Sequence, residues 1–342
     1  MPYYNGREYL SDCFASLAKQ TILPNKIIFV ENKSTDGSQE DLRKLTDLYS
    51  NVKVLSQTTN TGFVGACNAG IQEAINSSAD YVFLLNQDTV CEEHCLENLL
   101  SATESNTNIF AVQALLLCWP RKDLIQTSGD HIHFLGFGYS GDFKQPANKY
   151  QNLKFKNITY ASGAAMFLNV DAIKRVGSFD QDLFMYHDDL DLCWRARFLG
   201  YQILMVPQAI VYHKYTEGVV KSRWYWSERN RLITLLKFYK WPTLLLIFIP
   251  WLIMEIGVWL YSLLTGWFHL KIKSYWSALK LMSVTFNKRK HLQRSRTISD
   301  RIMAKYLDGR FNFAGLNNPI LKNIINPVFG VYWWIIKNII FW

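Results

Sequence analysis

Two apolar rhythms alternate along the front of the chain. Leu10, Phe14, Leu17 and Ala18 recur at helical spacing, and residues 26–30 (Lys-Ile-Ile-Phe-Val) make a short apolar strand running into a polar turn at 31–38. The alternation continues with 39–48 helical, 52–55 extended and 64–76 helical. Residues 81–85 (Tyr-Val-Phe-Leu-Leu) are the near-continuous apolar run that parallel sheets bury. Further strands are predicted at 109–116, 160–168 and 202–206, with a helix at about 187–199. Repeated βα units predict an α/β fold. One piece is out of place. The opening Met-Pro-Tyr-Tyr-Asn-Gly is loop-like with no strand before it, so Met1 is expected to lie inside a strand. On that expectation the start is assigned too late or the chain is a fragment, and the isolated chain folds poorly.

The pattern changes after residue 240. Residues 241–270 hold one formal charge, Glu255, and the run 243–268 is long enough for a bilayer span at ~1.5 Å per residue. Pro250 interrupts it. A second apolar run, 327–342, carries only Lys337.

Charge divides the chain at the same place. Residues 1–213 hold 17 basic and 23 acidic side chains, whereas 214–342 hold 20 basic and 5 acidic together with ten of the twelve tryptophans. Lys, Arg and Trp beside apolar runs suit a membrane surface, where anionic headgroups attract the cations and indoles sit at the interface. Nucleic acid is the weaker reading of the basic 269–310 stretch, because no recognition motif accompanies it. The six cysteines form no Cys-x-x-Cys pair, which argues against a disulfide scaffold or zinc ribbon and favours a reducing compartment.

Four patterns could carry chemistry. Residues 31–38 (Glu-Asn-Lys-Ser-Thr-Asp-Gly-Ser) follow an apolar strand, where ligands of open α/β sheets sit, although the same residues make ordinary turns and caps. Gly62, Gly65 and Gly70 open a helix, which suits either anion binding or close helix packing. Asp88 ends the 81–85 strand and could hold a divalent cation that bridges a diphosphate, or cap a turn. The strongest is 187–197, His-Asp-Asp-Leu-Asp-Leu-Cys-Trp-Arg-Ala-Arg. Its three carboxylates repel one another unless arginines, a metal or a substrate offset them. Asp188 and Asp191 share a helical face, and Asp189 points elsewhere as a candidate general base.

In this order and spacing the patterns resemble the family 2 glycosyltransferases of GT-A fold, especially bacterial rhamnosyltransferase-like members. The resemblance runs from Pro2 to about Leu232 and rests on 2–6, 31–38, 60–70, 84–89, 162–164, 177–180, 187–197, 211–214 and 229–231. It implies a GT-A domain over 1–235, its first strand missing or truncated, and a basic, Trp-rich, membrane-associated helical region over 236–342. It implies that Pro2, Tyr4 and Glu31 line the nucleoside pocket and that Asn60, Gly65 and Asn68 border the nucleotide. Asp88 ends the motif that is often Asp-x-Asp but here is Asn86-Gln-Asp88, and His213 is implied as a further ligand to Mg²⁺ or Mn²⁺. Asp189 aligns with the catalytic base, and Asp188 stands where Glu is frequent.

The implied reaction is inverting transfer of one sugar from a nucleotide-diphospho-sugar (dTDP-rhamnose first, UDP-sugars next) to a saccharide or lipid-linked acceptor in surface polysaccharide synthesis. Two alternatives stand beside it. One is a processive synthase, whose Gln-x-x-Arg-Trp signature would fall at 220–224, where Val220 replaces the Gln. The other is a non-catalytic membrane scaffold with a degenerate nucleotide-sugar fold. Nucleotide sugars are cytosolic and basic loops stay inside, so the chain is expected on the cytoplasmic face of the inner membrane. With both flanks of 243–268 on one side, that run is expected to form a re-entrant hairpin broken at Pro250 or to lie in the interface, rather than to cross.

Overall fold

The computed structural model describes residues 1–104, 108–215, 221–311 and 319–342. The chain divides into two units interleaved in sequence. The first comprises 1–130, 140–193 and 201–216, the second 131–139, 194–200 and 217–342.

The predicted alternation of helix and strand builds the first unit. Its elements begin with β1 (Pro2–Tyr3), α1 (Leu10–Ala18), β2 (Ile27–Glu31), α2 (Ser38–Leu48), β3 (Val52–Ser56), α3 (Gly62–Asn76) and β4 (Tyr81–Leu85). There follow β5 (Thr89–Cys91), α4 (Cys95–Glu104), β6 (Ile109–Cys118), β7 (Ile125–Thr127), β8 (Asp130–His133) and β9 (Gly138–Ser140). Last come β10 (Lys156–Asn157), β11 (Ala165–Asn169), α5 (Val170–Val176), α6 (Asp188–Phe198) and β12 (Gln202–His213). Only the first six residues of α6 belong to this unit, and most of β8 and β9 belongs to the second.

Parallel strands β1, β2 and β3 lie side by side. A second sheet has the order β10-β12-β6-β11-β4, with β5 on β12 and β7 on β6. Antiparallel β11 sits between β4 and β6, and β6 runs parallel to β12. The expected opening strand is present as the two residues of β1, where Pro2 pairs with Val30. A cavity of about 650 Å³ lies beside Met1, walled by β2, α3 and β4. The core draws on the predicted elements, with Phe29, Leu42, Val112 and Leu116 fully buried, and on α4, which the pattern does not predict and which contributes fully buried Leu99. The expected strand at 202–206 extends into one twelve-residue strand, β12, whose pairing with β6 shifts register between Val206 and Ile210. The expected strand at 160–168 is shorter and later, because 161–164 form a turn against the Gln113 side chain.

The second unit is mainly helical: α7 (Lys221–Phe238), α8 (Trp241–Leu264), α9 (Phe268–Lys280), α10 (Met282–Ser295), α11 (Asp300–Met303) and α12 (Asn326–Ile339). A short strand, β13 (Leu307–Asp308), pairs with β8. Helix α8 is unbroken, with Pro250 inside it, so the expected re-entrant hairpin is not formed. Proline costs a helix one hydrogen bond and a steric clash, and here the turn stays helical with Pro250 buried.

Glu255 explains how α8 is oriented. It faces inward with Glu228 of α7, and the two carboxylates share Arg231 and Lys271. Arg231 Nη2 lies 2.9 Å from Glu228 and Lys271 Nζ 2.8 Å from Glu255, while Tyr275 also donates to Glu255. Burial disfavours charge on Glu228, but Arg231 and Lys271 outweigh it and hold its carboxyl at about 2. Thr243, Ile247, Pro250, Glu255 and Ser262 form the inward stripe of α8. Leu245, Ile249, Leu252, Ile256 and Leu260, at spacings of three and four, form an exposed apolar stripe. By length and composition α8 is long and apolar enough to cross a membrane. Helix α12 likewise exposes Val328, Val331, Trp334, Ile335 and Ile339.

Removing one member of the buried quartet leaves a charge without its counter-ion. Arg231→Met is expected to destabilise the protein by about 3–5 kcal/mol, seen as a lowered thermal midpoint by circular dichroism. An unchanged midpoint would contradict the quartet.

Candidate active site

Strand ends bring the predicted chemistry together at one end of the second sheet. Asn86 follows β4, and its N–H donates to the Ala164 carbonyl at 3.0 Å. The neighbouring Gly163 N–H reaches Asp189 Oδ2 at 3.3 Å. Two residues beyond Asn86, the Asp88 carbonyl accepts from the Lys214 N–H at 2.8 Å, which sets His213 against Asp88. His213 Nε2 lies 3.2 Å from Asp88 Oδ1, and its Nδ1 meets the Gln126 amide at 2.9 Å. Asp88, His213, Gly163 and Asp189 are thus linked through consecutive backbone contacts.

Asp189 sits in the first turn of α6, with the Leu190 N–H donating to Oδ1 at 2.8 Å. Burial raises its carboxyl to about 6, against the two backbone hydrogen bonds that favour the charged form. Asp188 is buried beside it and is pushed up further, by burial first and then by the charges of Asp189 and Asp191. Asp88 behaves oppositely. Its burial is outweighed by the hydrogen bond and charge of His213, which hold it below the usual carboxylate range. One carboxyl is therefore poised to exchange a proton near neutral pH, and another stays ionised.

The backbone entering α6 is strained. Phe184, Tyr186 and His187 take φ of 64°, 62° and 62°, left-handed conformations that cost non-glycine residues of order 1–3 kcal/mol each. Phe184 is held by the Val64 N–H, which donates to its carbonyl at 3.1 Å. Gly62, at φ 72°, lets this approach happen, since a Cβ there would lie 2.6 Å from Phe184. The start of α3 and the start of α6 fix each other.

The other predicted residues surround this centre in different ways. Pro2 pairs in β1, and Tyr4 is exposed with its backbone clamped by Gln87 (2.8 and 3.0 Å). Asn60 accepts from the Gly62 N–H at 2.9 Å and from Asn32 Nδ2 at 3.1 Å. Gly65 leaves no room for a side chain, because a Cβ would lie 2.4 Å from that of Thr61. Asn68 both donates to and accepts from the Phe179 backbone at 2.9 Å, a clamp on the loop that leads to α6. Glu31 is fully buried, accepting from the Ser34 N–H and from Gln39 at 2.8 Å. Asn68 and Glu31 as placed shape the walls and present no free polar group.

Sequence reasoning missed three amides. Asn32 accepts from Thr61 and donates to Asn60 and the Gly62 carbonyl, which ties the 31–38 turn to α3. Gln87 clamps Tyr4, and Gln126 orients His213. Asn32 and Gln87 stood inside motifs already singled out, whereas Gln126 lies on β7, a strand the apolar pattern does not reveal. Val220, first in the 220–224 comparison, lies outside the described residues.

The donor set for a metal is small. No group of three or more His, Cys, Asp or Glu side chains placed to hold a metal ion occurs among the described residues. Asp88 and His213 form a pair, and buried Asn86 Oδ1, which has no hydrogen-bond partner among the described residues, stands where a second acid is often found. Mg²⁺ commonly takes one or two carboxylates and completes its shell with substrate phosphates and water, so the pair fits a metal that arrives with a diphosphate.

Residues 1–177, slightly more than half of the 342, match the profile of glycosyl transferase family 2. The chain belongs to this family. Its curated relatives include the O-antigen chain rhamnosyltransferase WbaN of Salmonella anatum, 26% identical over 63% of this chain and 65% of that protein. The glycosyltransferase AglE of Haloferax volcanii is 25% identical over 62% of this chain and 65% of its own length. The N-acetylglucosaminyl-diphospho-decaprenol L-rhamnosyltransferase of Mycobacterium tuberculosis is 25% identical over 61% and 73%. The chain thus spans just under two thirds of the first two. Solved folds agree with a GT-A architecture. GalNAc-T7 with UDP, GalNAc and Mn²⁺ superposes with a TM-score of 0.58 at 16% identity, covering 70% of this chain and 47% of that one. The mannosyltransferase PcManGT of Pyrobaculum calidifontis, in complex with GDP-Man and Mn²⁺, gives 0.51 at 14% identity over 82% and 85%. The α/β GT-A fold expected for this family 2 chain is the one found.

A carboxyl raised above its unfolded value of ~3.9 costs stability once it ionises. For Asp189 that cost is absent below about pH 4 and complete above about 6. Asp189→Asn removes it, so the variant is expected to melt higher than the wild type at pH 7.5 and level with it at pH 4. Equal melting at both pH values would show an Asp189 that is not desolvated.

Proposed function

We propose that this chain is an inverting glycosyltransferase that moves one sugar from a nucleotide-diphospho-sugar to a saccharide or lipid-linked acceptor in cell-surface polysaccharide synthesis. The observation that carries this reading is the pairing of a desolvated Asp189 with an ionised Asp88 that sits beside His213, linked through Asn86, Ala164 and Gly163. Rhamnose is the first candidate sugar, since two of the relatives are named as rhamnosyltransferases. The base carried by the donor is a choice between dTDP and UDP.

Asp189 accepts the proton of the acceptor hydroxyl as that oxygen attacks the anomeric carbon. Its raised pKa matches a base working near neutral pH, and the Gly163 and Leu190 N–H groups fix its orientation. Burial and the neighbouring carboxylates push the Asp188 carboxyl up, which favours its neutral form and limits negative charge in the site. Asp88 and His213 would hold Mg²⁺ or Mn²⁺, and the bound cation offsets negative charge on the leaving diphosphate. Gln126 fixes the ring of His213 through its other nitrogen. Strain at 184–187 and the clamps from Asn68 and Asn32 hold the two halves of the site in register.

The exposed apolar stripes of α8 and α12 support a protein seated on the inner leaflet at the cytoplasmic face, with α8 in the interface. That position suits a lipid-linked acceptor. The retained Asp88 and Asp189 favour a working enzyme over a degenerate scaffold.

A panel of nucleotide sugars assayed with the full chain tests the proposal. Turnover of one donor is expected, with loss of about 10²-fold or more in excess EDTA or in Asp88→Ala. Activity undiminished in EDTA contradicts the metal assignment. Absence of turnover with every donor favours the scaffold.

A further inference from the structure

The second unit carries a cavity that the sugar chemistry does not use. It measures about 580 Å³ and lies between the start of α8 and the face of α10. Lys240, Trp241 and Pro242 form one wall, and Phe286, Arg289, Lys290, Gln293 and Arg294 the other. Four cations line it and no carboxylate does. The nearby acid, Asp300, is buried and committed: it accepts from the Lys240 N–H at 2.9 Å and from Thr243, and it pairs with Arg296 at 2.7 Å. Lys240, Lys290 and Arg294 make no ion pair among the described residues, so like charges converge without an anion to offset them.

The cavity is built, not merely charged. Arg289 is buried, gives Nη1 to the carbonyls of Leu236 and Tyr239, and lies 4.3 Å over the Trp241 ring. Gln293 is pinned by its Nε2 to the carbonyls of Lys237 (3.1 Å) and Phe238 (2.8 Å). Trp241 and Phe286, both exposed, stand 6.1 Å apart at the mouth. One helical turn beyond Trp241 begins the exposed apolar stripe of α8, with Leu245 on the same face and Phe248 and Ile249 beyond. A free phosphate has no use for an apolar margin. An anion with acyl chains does.

We propose that this cavity binds the phosphate-bearing headgroup of an anionic membrane lipid, its acyl chains lying along α8. The proposal rests on the reading of α8 as a membrane-facing helix and adds to it a site that fixes depth and rotation. Phosphate accepts hydrogen bonds from Lys240, Lys290 and Arg294, while Trp241 and Phe286 sit at the level of the glycerol backbone.

Flotation with vesicles tests it, using the full chain exchanged out of detergent in their presence. The wild type is expected to bind phosphatidylcholine vesicles through its apolar stripes and to bind phosphatidate-doped vesicles about tenfold or more tightly. Lys290→Glu with Arg294→Glu changes exposed residues, and is expected to lose that preference while still binding phosphatidylcholine. Lys273→Glu with Lys280→Glu makes the same charge change on exposed positions of α9 and is expected to keep most of it. Equal loss in the two double variants would mean diffuse attraction and overturn the site. So would a wild type indifferent to phosphatidate, or glycerol 3-phosphate abolishing the preference as effectively as phosphatidate itself, the mark of a free-anion site. Failure to bind any vesicle would instead overturn the membrane-facing reading on which the site rests.

Discussion

Burying a carboxylate is expensive unless something holds its charge or its proton, and the start of α6 buries Asp188 and Asp191 and half-buries Asp189 between them. The rest of the first unit is arranged around that cost. Asp189 is met by two backbone N–H groups, one from its own helix and one from the Gly163 turn. The turn is positioned by Asn86 at the end of β4 and by Gln113 from β6. The chain enters the helix through left-handed Phe184, Tyr186 and His187, a path that Gly62 and Asn68 make possible from α3. The desolvation that costs stability is the same one that tunes Asp189 as a base, so the site and its strain are one device.

The second unit solves the opposite problem. It buries an ion-paired quartet and turns apolar stripes outward on two of its helices, while lysines and arginines of α9 and α10 stay exposed. Two carboxylates and two cations pair at its centre with almost no exposure, while α8 and α12 present leucine, isoleucine and tryptophan outward. Such a surface is costly in water and favourable against a bilayer. The net basic charge of the region and its exposed Trp241, Trp276 and Trp334 suit that setting.

Much of the first unit was legible from periodicity because its strands are short, apolar and evenly spaced. Residues 81–85 and the α3 and α6 segments fall within two residues of their predicted bounds. What the pattern missed follows from its nature. Thr89–Cys91 and Ile125–Thr127 are too short to show a period, yet they place Asp88 and His213 together and bring in Gln126. Glu255 looked like a defect in an apolar run, because the sequence does not display partners 16 and 24 residues away. Pro250 looked like a break for the same reason, since tertiary packing on its inward face keeps the helix whole. Asn68 and Glu31 sit in the motifs the sequence singles out, and their hydrogen bonds to backbone and to a neighbouring amide are contacts that the sequence does not display.

The central claim is that a desolvated Asp189 is the base of a sugar transfer. Its most direct test is the pH dependence of kcat/KM for the donor that turns over, measured for the wild type and Asp189→Asn. The wild type should lose activity on the acid side with an apparent pKa near 6, and the variant should fall by about 10²- to 10⁴-fold while still binding the nucleotide. A flat acid limb, or a variant with wild-type turnover, would contradict the account.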